Sequence, residues 1–179
     1  MKTCRILIAG FGGQGVLFAG KFLAYKGLIE GKQVSWLPSY GPEMRGGTAN
    51  CSVIVGDEPI GSPIVNAPNT LIAMNLPSLQ KYENAVVPGG LILVDSSLIA
   101  EKVSRTDVKV CYVPATKLAN DSGFSTLANM ILIGKLLKES EDMSFDHTED
   151  ALKKVIPARK MNLLDVNLKA LETGFGFTE

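Results

Sequence analysis

Residues 4–15, Cys-Arg-Ile-Leu-Ile-Ala-Gly-Phe-Gly-Gly-Gln-Gly, decide the fold. Cys4 to Gly10 is a short apolar run, rich in β-branched residues and ending in glycines, which suits a central strand covered on both faces. A helix is expected from about Gln14 to Ile29, with Val16, Ala19, Gly20, Leu23 and Gly27 on one side, and Gly31-Lys32 stops it. Val34 to Leu37 reads as a second strand, so the opening spells a Rossmann-like β-α-β unit in which right-handed parallel pairing of the two strands is expected. Gly10, Gly12 and Gly15 complete G-x-G-x-x-G directly after a strand and at the opening of a helix. Glycines there allow a tight turn and close approach of backbone to ligand, and the helix N-terminus offers free N–H groups to a diphosphate.

Working outward, Pro38 to Thr48 carries two prolines and three further glycines, Gly41, Gly46 and Gly47, a composition that excludes regular structure. Asn50–Val55 reads as a strand beside a turn at Asp57–Gly61, and 70–74, 91–95 and 108–113 read as further strands. A helix from near Pro77 to before Pro88 connects two of them. Beyond Pro114 the pattern turns helical: a short piece at 117–120, a strong helix at 125–138, and two amphipathic helices separated by Pro157. The fold class expected is α/β, a three-layer sandwich with a mainly parallel, mixed sheet and a helical C-terminal segment. With no repeat and no low-complexity linker, residues 1–179 are expected to form a single domain.

Eighteen basic residues balance eighteen acidic ones, so no global field draws the chain to nucleic acid or an anionic membrane. No stretch approaches the roughly 20 apolar residues of a membrane span, and the N-terminus lacks a signal pattern; the chain is read as soluble, unprocessed and cytoplasmic. Cys4, Cys51 and Cys111 are widely spaced and form no C-x-x-C pair, which marks them as reduced, buried packing residues. Three cysteines do not supply the four ligands usual for an iron–sulfur cluster.

A dinucleotide-binding unit should carry Asp or Glu at the end of its second strand to accept the ribose hydroxyls; here that place holds Trp36-Leu37-Pro38-Ser39. A phosphate ligand without that contact, such as coenzyme A, therefore ranks above NAD. Arg45, within the glycine-rich loop, offers a planar five-donor fork at the edge where open parallel sheets bind ligands. Lys21 either reaches a phosphate or solvates an exposed face. His147 reads as a surface residue, with Thr148 or Asp146 capping the helix beside it. Asn129, inside an apolar helix, needs a partner if buried and reads first as a structural hydrogen-bonder.

At GFGGQGVLFAGKFLA (10–24), SYGPEMRGGTANCSVIV (39–55), the apolar helix with Asn129-Met130, and NLKALETG (167–174), the chain resembles the gamma subunit of the 2-oxoacid:ferredoxin oxidoreductases of 2-oxoglutarate, 2-oxoisovalerate or pyruvate type. The resemblance implies oxidative decarboxylation of a 2-oxoacid on thiamine diphosphate, electron transfer through iron–sulfur clusters to ferredoxin, and release of an acyl-coenzyme A. It also implies a hetero-oligomer: alpha and beta chains holding thiamine diphosphate, a ferredoxin-like delta chain holding clusters, and a gamma chain inactive by itself. Carried onto this sequence, Gly10, Gly12, Gly13, Gln14, Gly15 and Lys21 lie beside the coenzyme A site, and Arg45, Gly46, Gly47 and Thr48 face a ligand or the partner chains. Two alternatives stay beside it: a stand-alone Rossmann-type NAD(P) oxidoreductase, and a purely structural assembly subunit. Made alone, the chain is expected to be able to form a homodimer through surface meant for partners.

Overall fold

A computed structural model describes residues 3–39 and 48–178. The opening run forms β1 (Cys4–Phe11), and α1 (Val16–Ile29) follows after the glycine loop. Gln14 belongs to that loop rather than to the helix, because Gly15 takes the N-cap position in a left-handed conformation. Next come β2 (Gln33–Ser39), β3 (Thr48–Gly56) and β4 (Thr70–Ala73), then α2 (Leu76–Tyr82) with a 3-10 turn at Glu83–Ala85. The chain continues through β5 (Leu91–Asp95), β6 (Lys109–Val113), α3 (Ala115–Asp121), α4 (Ala128–Glu139), α5 (Thr148–Val155), a second 3-10 turn and α6 (Leu164–Gly176).

The six strands lie in the order β2-β3-β1-β4-β5-β6. β1, β4, β5 and β6 pair in parallel, while β3 is antiparallel to both β1 and β2. β1 and β2 thus point the same way, as a β-α-β unit requires, yet they do not pair. The expected direct pairing is corrected: β3 returns between them and takes the hydrogen bonds of both, Phe11 facing Thr48 and Ser39 facing Asn50. The proline–glycine segment is also shorter than its composition suggested, since Pro38 pairs within β2 opposite Cys51. β2 is the sheet's edge, where a residue without an N–H is tolerated.

Alternation along β1 divides the core. Ile6 and Ile8 face one side with Val53, Ile72 and Leu93, packed against α1, α4, α5 and α6. Leu7 faces the other with Leu71, Ile92 and Val94, under Leu79 of α2, Val86 and Ile99. Helices on both faces give the mixed three-layer α/β arrangement. α4 is buried nearly all round because α6 packs outside it, and the two backbones touch: a Cβ on Gly134 would lie 2.0 Å from the Leu171 oxygen, and one on Gly174 1.8 Å from the Ile131 oxygen. Lys135, buried in that helix, offsets its desolvation with Glu139 at 2.7 Å and the Phe177 carbonyl at 3.1 Å.

All three cysteines are buried and outside any disulfide, in line with their reading as packing residues. His147 is half exposed, but the helix beside it is not capped by Thr148 or Asp146: His147 itself occupies the N-cap at φ 59 with no side-chain cap. Asp95 closes β5, fully buried, and accepts from Ser97 N, Thr116 N and Thr116 Oγ1, tying the following turn to the start of α3. Among the described residues no helix is long and apolar enough to cross a membrane.

Candidate functional site

The carboxyl ends of β1 and β4 mark the point where the chain's connections part, β1 leading toward β2 and β3 on one side and β4 toward β5 on the other. Ligands of open α/β sheets sit outside such a point. Here Gln14 folds across it. Its Oε1 accepts from Phe11 N at 2.6 Å and its Nε2 donates to the Met74 carbonyl at 3.0 Å, so one side chain staples the glycine loop to the end of β4. Gly10 makes room for this staple, because a Cβ there would meet Gln14 Oε1 at 2.6 Å and Met74 Cβ at 2.9 Å.

Gly15, at φ 75 and ψ 21, starts α1 without any side-chain cap. The first N–H groups of a helix have no intrahelical acceptor, and the dipole adds positive potential to them. Gly13, at φ 93, has open space where a Cβ would point. The loop is therefore bare of side chains on its outer side. One cavity of about 270 Å³ lies against Phe11, Gly12, Gly13, Val16 and Ala49, and another of about 220 Å³ lies against Gly13, Gln14, Met74, Leu98 and Thr116.

From behind, α4 holds the loop in place. Asn129, 3% exposed, donates from Nδ2 to the Gly15 carbonyl at 3.0 Å, and a Cβ on Gly15 would lie 2.4 Å from that nitrogen. The expectation that Asn129 is a structural hydrogen-bonder is met, and its partner is the N-cap of the candidate site. Cys51 lies beneath the same turn, its thiol donating to the Val16 carbonyl at 3.5 Å. Burial pushes that thiol up to about 12, partly countered by Trp36 and the Gly20 backbone, so it stays protonated and serves packing.

Over residues 5–177 the chain matches the family described as pyruvate ferredoxin/flavodoxin oxidoreductase. The chain belongs to that family. It is 41% identical over 174 residues to the ketoisovalerate oxidoreductase subunit VorA of Methanothermobacter thermautotrophicus, covering 95% of this chain and 35% of the relative. This chain thus spans about a third of the length of that relative. With the 2-oxoglutarate synthase subunit KorC of Methanocaldococcus jannaschii it shares 33% identity, over 89% of this chain and 88% of the other. Among solved structures it resembles the gamma subunit of a keto/oxoacid ferredoxin oxidoreductase from Geobacter sulfurreducens, with TM-score 0.82, 29% identity and 96% of each chain covered. A 2-oxoglutarate:ferredoxin oxidoreductase from Magnetococcus marinus, solved with 2-oxoglutarate, coenzyme A and succinyl-CoA, shares the fold at TM-score 0.85 and 21% identity, over 98% of this chain and 31% of that one.

Within this pyruvate oxidoreductase family fold, Gly12, Gly13 and Gly15 line the open side of the loop, whereas Gly10 and Gln14 form its support. Lys21 lies two turns into α1 and lines a third cavity together with Gly15 and Asn129, its Nζ 5.9 Å from the Tyr25 ring centroid. Arg45, Gly46 and Gly47 lie outside the described residues, as does the side chain of Thr48. The pairing of Thr48 with Phe11 still brings the end of that segment to the glycine loop. Of the third cavity's polar residues, Thr126 and Lys160 were not singled out from the sequence, and Asn167 was quoted only as the first residue of NLKALETG. Asn167 was detectable in principle, as a polar residue next to Leu168 and between Leu164 and Leu171 on a helix that must bury an apolar face.

The β3 insertion bears on the nucleotide question. In a dinucleotide-binding fold the strand beside β1 runs parallel to it and ends in the ribose-binding acid. Here that neighbour is antiparallel and presents its beginning, Thr48-Ala49, to the loop. The second strand, a place further out, ends in Ser39.

Proposed function

We propose that this chain serves as the gamma-type part of a 2-oxoacid:acceptor oxidoreductase, as one folded unit, and that its glycine loop carries the diphosphate of coenzyme A. The observation that carries this reading is the uncapped start of α1 at Gly15, flanked by open space and lacking any ribose-binding carboxylate where NAD needs one. The chain's own work is binding: backbone N–H groups of Gly12, Gly13 and Gly15 face the diphosphate, with Gln14 and Asn129 fixing the loop. Arg45, Gly46, Gly47 and Thr48 belong to the same reading as the loop's neighbours toward ligand or partner chains. Thiamine diphosphate, held by alpha and beta chains, would supply the electron sink that decarboxylation of a 2-oxoacid needs. Iron–sulfur clusters belong to a delta chain and pass electrons to ferredoxin; among the described residues no group of three His, Cys, Asp or Glu is placed to hold a metal ion. The names of the VorA and KorC relatives support a 2-oxoacid as the substrate class, and the even charge balance supports partners other than nucleic acid or an anionic membrane; a cytoplasmic hetero-oligomer belongs to the same reading.

Calorimetric titration of the full chain and of its assembly with alpha and beta chains tests this. Coenzyme A is expected to bind and NADH to leave the protein unchanged, with no 2-oxoacid oxidation by the chain alone. Binding of NADH in preference to coenzyme A would transfer the protein to the nicotinamide enzymes. Failure to bind either, with alpha and beta chains still co-purifying, would make it an assembly subunit.

A further inference from the structure

The connection from α5 to α6 exposes seven consecutive residues, Pro157-Ala158-Arg159-Lys160-Met161-Asn162-Leu163, the longest such run among the described residues. Six of them, Ala158–Leu163, form the second 3-10 turn without burying a single side chain. The backbone is pinned from its ends: Val155 and Ile156 are buried before it, Leu164 packs on the core after it, and Lys160 N donates to the Pro157 carbonyl at 2.8 Å. Its side chains have no part in that anchoring. Connections of this kind favour small polar residues and proline, yet Met161 is 36% and Leu163 40% exposed. One exposed leucine needs no explanation. Two large apolar side chains, two residues apart on a segment that buries nothing in its own chain, call for one.

Charge marks the same stretch. From Ala151 to Leu164 the sequence carries Lys153, Lys154, Arg159 and Lys160 and no acid, in a chain whose acids and bases otherwise balance. Lys153 is paired with Glu149 at 2.6 Å. Lys154, Arg159 and Lys160 form no ion pair with any described residue, Asp165 in the first turn of α6 included. Solvated surface cations are ordinary by themselves. Arginine and methionine set side by side beyond the reach of any carboxylate are instead the composition of a protein interface, where both residue types are enriched.

We propose that the 157–163 turn is a docking surface for an acidic patch on another chain of the oxidoreductase, with Met161 and Leu163 entering an apolar socket and Arg159 and Lys160 meeting carboxylates at its rim. This rests on the reading of the chain as a gamma-type subunit and adds which face meets the partner. The turn also borders the glycine loop's surroundings, since Lys160 and Leu163 wall a cavity of about 390 Å³ that reaches Gly15. A chain that brings a reacting group to the loop therefore passes over this turn, which makes an alpha or beta chain its occupant. Two other anionic surfaces fit less well. A membrane-binding segment presents a whole apolar helix face rather than two side chains, and a nucleic acid takes a longer basic stripe and has no use for Met161 and Leu163.

The test measures assembly of the full chain with co-expressed alpha and beta chains by surface-binding kinetics, from low salt to about 0.3 M. Arg159 and Met161 are the positions to change, because both are exposed and neither walls the cavity beside the loop. Arg159→Glu is expected to weaken assembly by about fivefold or more and to flatten its salt dependence. Met161→Ser should weaken it by a similar factor and leave the salt dependence as it is. Both should keep the parent's Tm and its affinity for coenzyme A. Lys81→Glu, on α2 across the sheet, should change nothing; equal weakening there would mean a general field rather than a docking surface. A double variant, Arg159→Glu with Met161→Ser, that assembles like the parent would overturn this placement and spare the subunit reading. A parent chain that joins neither alpha nor beta chains would sink the subunit reading and the docking surface with it. Loss of coenzyme A binding with assembly intact would make the turn part of a ligand site instead. Binding of the parent to phosphatidylserine vesicles, abolished by Arg159→Glu while assembly persists, would make it a membrane contact.

Discussion

Gly15→Ala should damage the protein through two separable effects, and a double-mutant cycle with Asn129→Ala resolves them. A left-handed conformation costs an L-residue about 1–2 kcal/mol, against which the stiffer unfolded chain returns about 0.4–1 kcal/mol. That effect alone applies at Gly13, where φ is 93 and nothing lies within 4 Å of the missing Cβ. At Gly15 the new methyl also lands 2.4 Å from Asn129 Nδ2. The amide must move, losing its 3.0 Å bond and leaving a buried donor unsatisfied, which adds about 1–3 kcal/mol. Gly13→Ala is therefore expected to cost about 1 kcal/mol and Gly15→Ala about 2–4 kcal/mol. In an Asn129→Ala background the obstacle is gone, and Gly15→Ala should fall back to about the cost seen at Gly13. Urea unfolding of the four proteins of the cycle reads the coupling, expected at about 1–3 kcal/mol. Additivity within about 0.5 kcal/mol would refute the claim that Asn129 is what dictates glycine at position 15.

Gly174→Ala gains about 1 kcal/mol of helix propensity yet drives a methyl to 1.8 Å from the Ile131 carbonyl, so α4 and α6 must separate. A net loss of about 2 kcal/mol or more, seen as a Tm lower by about 4–8 °C, is expected, while Gly176→Ala, with open space around it, should be near neutral. Glu139 is held below the usual carboxylate range by hydrogen bonds from Lys109 and Lys135. Its folded-state value is depressed, so its contribution to stability is fully present above about pH 4.5 and is lost as pH falls through the folded value; Lys109→Met should flatten that acid limb in unfolding curves taken from pH 6 to 3.

What the sequence could show depended on how far the cause lay from the effect. β5 was legible residue for residue from its apolar run, and β1 nearly so, because burial on both faces leaves a local signature. The start of α1 was misplaced by two residues, because Gln14 looks like a good helix former and nothing nearby tells that its amide is claimed by Met74, sixty residues on. The strand order was not legible. A β-α-β pattern fixes the direction of β1 and β2, which held, but adjacency depends on whether a later strand inserts, and β3 carries no local mark of doing so. Pro38 misled for a related reason: proline rules out an inner strand, and only the sheet order makes β2 an edge. At the site, Asn129 stood out because the residues around it, Leu127 to Ile133, are otherwise apolar. Asn167 sits on an amphipathic helix, where polar residues are expected and one turned inward attracts no notice.

These misses share a physical origin that also bears on function. The loop from Phe11 to Gly15 has few contacts within itself; it is held by β3 through Thr48, by β4 through Gln14 and by α4 through Asn129, three supports drawn from across the chain. A glycine loop left to its own devices would sample many conformations, and an anion would have to order it at a cost of about 1–2 kcal/mol per residue. Supports that order the loop during folding remove that cost from the binding step, so affinity reflects the N–H groups and the dipole alone. The supports are therefore expected to matter to ligand affinity more than their distance from the ligand suggests. Releasing one of them, as in Gln14→Ala, removes none of the backbone N–H groups of the loop yet should still weaken coenzyme A binding by about tenfold if one residue's ordering is returned to the binding step. A Gln14→Ala protein that folds and binds as tightly as the parent would show that the loop is rigid for some other reason.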